Sequence, residues 1–154
     1  MSRVWVLATY LLRELFRSLS GWLMIVLAGV FYLAAIQSVV GGIDRDYYAL
    51  VVGGFFALFS LLMTVILADR AFHARSYLLL FRVPARPIFL AAIVLAALVA
   101  SSALLLVVGA ISLTRLRTPF APTAFLDIVP VWVSWMVVGA ALGLHLCELV
   151  RRGW

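Results

Sequence analysis

Two histidines, one cysteine and six carboxylates are all that 154 residues offer of these three chemistry-bearing types, and lysine is absent. The densest grouping is His145, Cys147 and Glu148 near the end of the last apolar run. On a helix His145 and Glu148, three apart, share a face and offer two ligands to a metal. Two ligands do not make a tetrahedral site, and a polar pair bonded to water or to a neighbouring helix explains them as well. His73 lies in a connection between apolar runs, so no pair of intramembrane histidines is available for a b-type haem. The chain has no glycine-rich phosphate loop, no nucleophile elbow and no paired carboxylates. The expectation is therefore a protein that is not an enzyme and carries no metal or cofactor. Any ATP it uses is bound by another subunit.

The elements that position these groups are set by composition. The chain is 67% hydrophobic and 12% charged, with a mean hydropathy of +1.21. Soluble domains lie near 45–50% apolar and about 25% charged, so this is an integral membrane protein. The net charge of +6 is twelve cations against six carboxylates, and every cation is arginine. These arginines flank apolar runs, as headgroup anchors do, and are not interleaved with exposed aromatics, which argues against nucleic acid. The lone Cys147 forms no intramolecular disulfide and does not report the redox compartment.

Four windows have the roughly 20 mostly apolar residues that a membrane-crossing helix needs: about 22–40, 47–68, 88–113 and 129–150. The reading is a single all-α membrane domain over 1–154. Gly41-Gly42 and "IDRDYY" make a tight antiparallel turn between the first two spans, which are expected to be neighbours. Pro130 is expected to start the last span, with Asp127 capping it and complementing the positive helix end. Trp132 and Trp135 suit an outer aromatic belt. Before the first span, Ala8, Leu11, Leu12, Leu15, Phe16 and Leu19 fall on one side of a helix and Thr9, Arg13, Glu14, Arg17 and Ser18 on the other. This predicts an amphipathic interfacial helix over 1–20, bending into the membrane at Ser20-Gly21. Arg13, Glu14 and Arg17 interrupt that first apolar stretch, so it does not read as a cleaved signal.

Orientation follows from arginine placement. Arg3, Arg13, Arg17, Arg70, Arg75, Arg82, Arg86, Arg151 and Arg152 fall on one side, and Arg45, Arg115 and Arg117 on the other. The positive-inside rule reads this as both termini cytoplasmic, which an even number of spans allows. The loop 69–87, within "ADRAFHARSYLLLFRVPARPIF", is then the largest cytoplasmic connection. Topology alone accounts for its arginines, with Asp69 at a helix end or paired with Arg70 or Arg75. Two features go further. "SYLLLF" is apolar yet lies outside the spans, so headgroups or another protein must cover it. Pro84 stops a preceding helix, and Pro87 suits the first turn of the next.

An interfacial helix, a span, a short outer turn, a second span running into a charged loop, and then "SYLLLFRVPAR" and a third span together resemble the first half of the permease subunits of type-2 ABC exporters, over about residues 7–110. On that resemblance Asp69 matches the acidic position ending the second span, Ser76 a threonine, Leu79 and Leu80 a leucine run, Pro84 the proline and Arg86 a basic residue. Arg75 and Leu78 stand where the family usually has glycine and glutamate, and four spans stand where it usually has six. The resemblance implies a multi-pass subunit of a bacterial cytoplasmic (inner) membrane. Its loop, with Asp69, Arg70, Arg75, Ser76, Leu79, Leu80, Arg82, Pro84 and Arg86, would dock a separate nucleotide-binding subunit alongside further membrane subunits. The alternative is a non-catalytic accessory subunit of a larger respiratory or photosynthetic complex. Helix packing is assigned to Ala92, Ala96 and Ala100 on the third span and to Gly139 and Gly143 on the fourth, small residues that let another backbone approach closely, in this chain or in a partner.

Overall fold

The computed structural model describes residues 3–72, 86–116 and 122–152, with side chains over 4–71, 87–116 and 127–147. Among the described residues five α-helices follow one another: α1 (Arg3–Phe16), α2 (Leu19–Phe31), α3 (Arg45–Phe72), α4 (Arg86–Leu113) and α5 (Pro122–Arg152). Among the described residues four segments are long and apolar enough to cross a membrane: Leu19–Gln37, Arg45–Ala71, Pro87–Leu113 and Asp127–Cys147. The protein is an all-α, multi-pass membrane protein with an additional N-terminal helix. The four windows read from the sequence coincide with these segments to within a few residues, because charge-free apolar runs of this length have few alternatives in lipid.

α1 and α2 are separate helices. Ser18 is extended, at φ −102° and ψ 153°, and its hydroxyl accepts the Gly21 backbone N–H at 3.3 Å, capping α2 as serine does in place of the missing intrahelical partner. A Cβ at Gly21 would run into the carbonyl oxygen of Leu15, so the fold-back admits only glycine there. α1 buries Ala8, Leu11 and Leu15, packs mainly on α4, and leaves Arg13, Glu14 and Arg17 exposed. The apolar face ends earlier than its periodicity suggests, since Phe16 and Leu19 project outward beyond the packed turn.

α2 continues through a π-helical turn, Tyr32–Gln37, closed by Ser38 N–H donating to the Leu33 carbonyl at 3.1 Å. Gly41 and Gly42 then take φ of 83° and 89°, the left-handed region that side chains disfavour, and turn the chain into α3. The first two spans meet through side chains more than through backbone. Phe31 stacks on Phe55 with centroids 3.7 Å apart, and the Tyr47 hydroxyl donates to the Ala35 carbonyl at 2.9 Å. The principal neighbours of α3 are α5, which its Gly53, Gly54, Ser60 and Thr64 face, and α4, which Tyr48 reaches.

α5 begins at Pro122, earlier than expected, and Pro130 lies inside it. Pro122 has its φ preset for a first helical turn, whereas Pro130 removes one backbone donor that a membrane helix tolerates without breaking. Asp127 therefore sits inside the helix and does not cap it. Ser134 Oγ donates to the Pro130 carbonyl at 2.8 Å.

Candidate functional site

The α3–α5 seam organises the molecule. Trp132 Nε1–H donates to the Ala49 carbonyl at 2.9 Å, Ser60 Oγ donates to the Met136 carbonyl at 2.8 Å, and Cys147 Sγ lies 3.8 Å from the Val65 carbonyl. A Cβ at Gly139 would collide with the Ala57 carbonyl, and one at Gly143 would lie 2.8 Å from that of Leu61. Ala49, Ala57, Leu61 and Val65 meet Trp132, Gly139, Gly143 and Cys147 in that order, so α3 and α5 run parallel over about 24 Å. The Gly139/Gly143 pair is thus occupied within the chain. Ala92, Ala96 and Ala100 are likewise buried in the core, at 0%, 0% and 3% exposure.

α4 runs antiparallel to α3, because the buried Tyr48 near the start of α3 donates its hydroxyl to Gly109 near the end of α4 at 3.0 Å. The two ends of the bundle are thereby distinguished. At one lie the α1–α2 turn, the end of α3 with Asp69 and Arg70, the start of α4 at Arg86-Pro87, and the end of α5 with His145. His145 is exposed and Cys147 half-buried. Among the described residues no three His, Cys, Asp or Glu side chains converge to hold a metal. His73, Arg75, Ser76, Leu79, Leu80, Arg82 and Pro84 lie outside the described residues, as do the side chains of Arg86 and Glu148.

The opposite end is built differently. Arg115 reaches across to the carbonyls of Gln37 at 3.3 Å and Val39 at 3.5 Å, supplying donors to the exposed end of α2. Ile43 N–H donates to the Arg115 carbonyl at 3.0 Å, forming an isolated parallel bridge between Ile43 and Leu116. Beside this knot an open groove of about 310 Å³ lies between the starts of α3 and α5. Asp46, Ala49 and Leu50 line it from α3, and Asp127, Ile128, Val131, Trp132 and Trp135 from α5.

Sequence reasoning missed this groove. Trp132 is not a belt residue: it is 5% exposed, hydrogen-bonded, and tilted against Tyr48 with ring centroids 5.6 Å apart. Trp135 stays 40% exposed along the groove. Asp46 and Asp127 are 81 residues apart in the chain, and only the parallel register of α3 and α5 brings them to one rim. The available signal was the Asp-x4-Trp-x2-Trp spacing of Asp127, Trp132 and Trp135 on a single helix. No protein-family model, curated protein or solved structure matches this chain.

Proposed function

We propose that the chain is a membrane-spanning subunit of an ABC-type transporter of the bacterial inner membrane, with both termini cytoplasmic. It couples to a separate ATP-hydrolysing subunit through the loop 69–86. The observation that carries this reading is that α1, the amphipathic helix, packs mainly on α4, the helix that follows the loop. A push on the loop would therefore reach α1 and α4 together. The ends that share that side bear Arg13, Arg17, Arg70, Arg86, Arg151 and Arg152, which favours a cytoplasmic face.

The interior bears on how transport would work. It is filled by Phe55, Phe56, Phe59, Ile93 and Met63, and its buried polar side chains among the described residues are Ser60, Thr64, Ser101 and Ser112. A substrate path therefore belongs between this chain and other membrane subunits. The test is purification of the tagged protein in native nanodiscs with mass spectrometry of what co-purifies. A stoichiometric nucleotide-binding subunit is expected, and Arg75→Ala, Leu79→Ala or Arg82→Ala should then uncouple ATP hydrolysis while leaving the fold intact. Recovery of redox or light-harvesting subunits, or of no nucleotide-binding protein, overturns the reading.

One observation favours the accessory-subunit reading: α2 exposes Trp22, Leu23, Val26, Val30 and Leu33 as a wide apolar face. In that case this face, and not Gly139, Gly143 or Ala96, meets the larger complex, because those small residues are already used inside the chain.

A further inference from the structure

We propose that the far end of α2 is a two-register hinge. The π-helical turn Tyr32–Gln37 is held open by side chains from elsewhere in the fold, with Arg115 as the latch, and it closes to an α-helical register when Arg115 lets go.

Nothing in the turn itself calls for the wider winding. Tyr32, Leu33, Ala34, Ala35, Ile36 and Gln37 include no proline or glycine, and alanine and leucine are among the best α-helix formers. A π turn is rare, so the choice comes from outside the segment. A helix end leaves its last carbonyls without intrahelical donors. Here Ser38 Oγ serves the Ala34 carbonyl locally, but the Tyr47 hydroxyl of α3 takes that of Ala35 at 2.9 Å. Arg115, just past α4, takes those of Gln37 at 3.3 Å and Val39 at 3.5 Å. Tertiary contacts therefore select the π register against the local preference.

The latch is poised for release. Both Arg115 contacts are longer than the roughly 2.7–2.9 Å of a strong charge-assisted bond, and its Nε is buried with no hydrogen-bond partner among the described residues. Letting go loses two long bonds and returns a buried donor to water, so the two registers lie close in free energy. Gly41 and Gly42, at φ 83° and 89°, take up the one-residue change before Ile43, whose N–H is fixed to the Arg115 carbonyl. Ile36 is the buried side chain of the turn and repacks with it. Passing between registers turns the residues after the hinge by about 100°, one residue's worth of helix. A displacement at the end of α4 is thereby converted into a rotation at the end of α2. No loop or partner subunit enters this inference, which stands apart from the transport reading.

The test is a distance measurement on full-length protein in nanodiscs, with Cys147→Ser so that the spin labels are unique. One pair, Val40→Cys/Val138→Cys, reads across the hinge, and a second, Val30→Cys/Val138→Cys, reads before it; all three positions are exposed. Arg115→Ala is expected to enlarge a second population of the Val40 pair, displaced by about 3 Å or more given the helix radius and the rotation, and to leave the Val30 pair unchanged. Tyr47→Phe keeps the ring, removes the donor to Ala35, and should enlarge the same population to a smaller extent. If Arg115→Ala is not recovered folded, Tyr47→Phe decides by the same criterion. An unchanged Val40 pair, broadening without a second distance, or an equal shift of the Val30 pair overturns the proposal.

Discussion

The α3–α5 pair and α2 face the same solvent, lipid, and are held in different ways. Half of the membrane window of α3 is buried within the chain, against 28% of that of α5 and 22% of that of α2, so α5 differs from α2 in how it is joined to α3 more than in how much of it is covered. Lipid tails are as apolar as leucine, so hydrophobicity does not choose between these outcomes. Close backbone approach and interhelical hydrogen bonds do. α3 and α5 have both, through Gly53, Gly139, Gly143, Ser60 and Trp132. α2 has a ring stack at Phe31, a cap at Ser18 and the donors of Arg115 at its far end. A helix fastened mainly at its ends is the one free to meet a partner or to shift.

The contrast is broken most sharply at Gly139. Gly139→Leu forces a side chain into the Ala57 backbone, and a loss of about 3 kcal/mol or more is expected, read as failure to recover monodisperse protein or a collapsed thermal midpoint in detergent. A variant that melts like the parent would mean that α3 and α5 are not interlocked as described. Trp132→Phe keeps an aromatic ring but removes the donor to the Ala49 carbonyl, and a destabilisation of about 1 kcal/mol is expected by reversible unfolding in mixed micelles. Ser60→Ala deletes the hydroxyl bonded to the Met136 carbonyl, and about 0.6 kcal/mol is expected, in line with hydrogen bonds between other membrane helices. At the small end, Val26→Ala and Leu33→Ala on the exposed face of α2 should shift stability by no more than about 0.5 kcal/mol. If either loosens an assembly recovered from membranes while leaving the melting of the isolated chain unchanged, that face is a partner surface.

Sequence by itself determined the class of the protein, the number and approximate bounds of the described spans, and the amphipathic character of α1. These follow from one-dimensional patterns: long charge-free runs that lipid forces into helices, and a 3.6-residue period in polarity. Small residues could be recognised as packing positions, but not their partners. A stripe of alanines or a glycine pair looks the same whether it meets its own chain or another.

Only the tertiary structure decided that α3 and α5 run parallel in a register that consumes Gly139 and Gly143. The same register places Trp132 in the core and sets Asp46 opposite Asp127 across a groove. Local pattern misled at Pro130 for a related reason. A proline reads as a boundary, yet in a membrane, where leaving the helix would strand several backbone groups and continuing costs one donor, α5 runs through it. The physical divide is range. Solvent acts on every residue alike and can be read along the chain, whereas the pairing of α3 with α5 depends on shapes 76 to 83 residues apart.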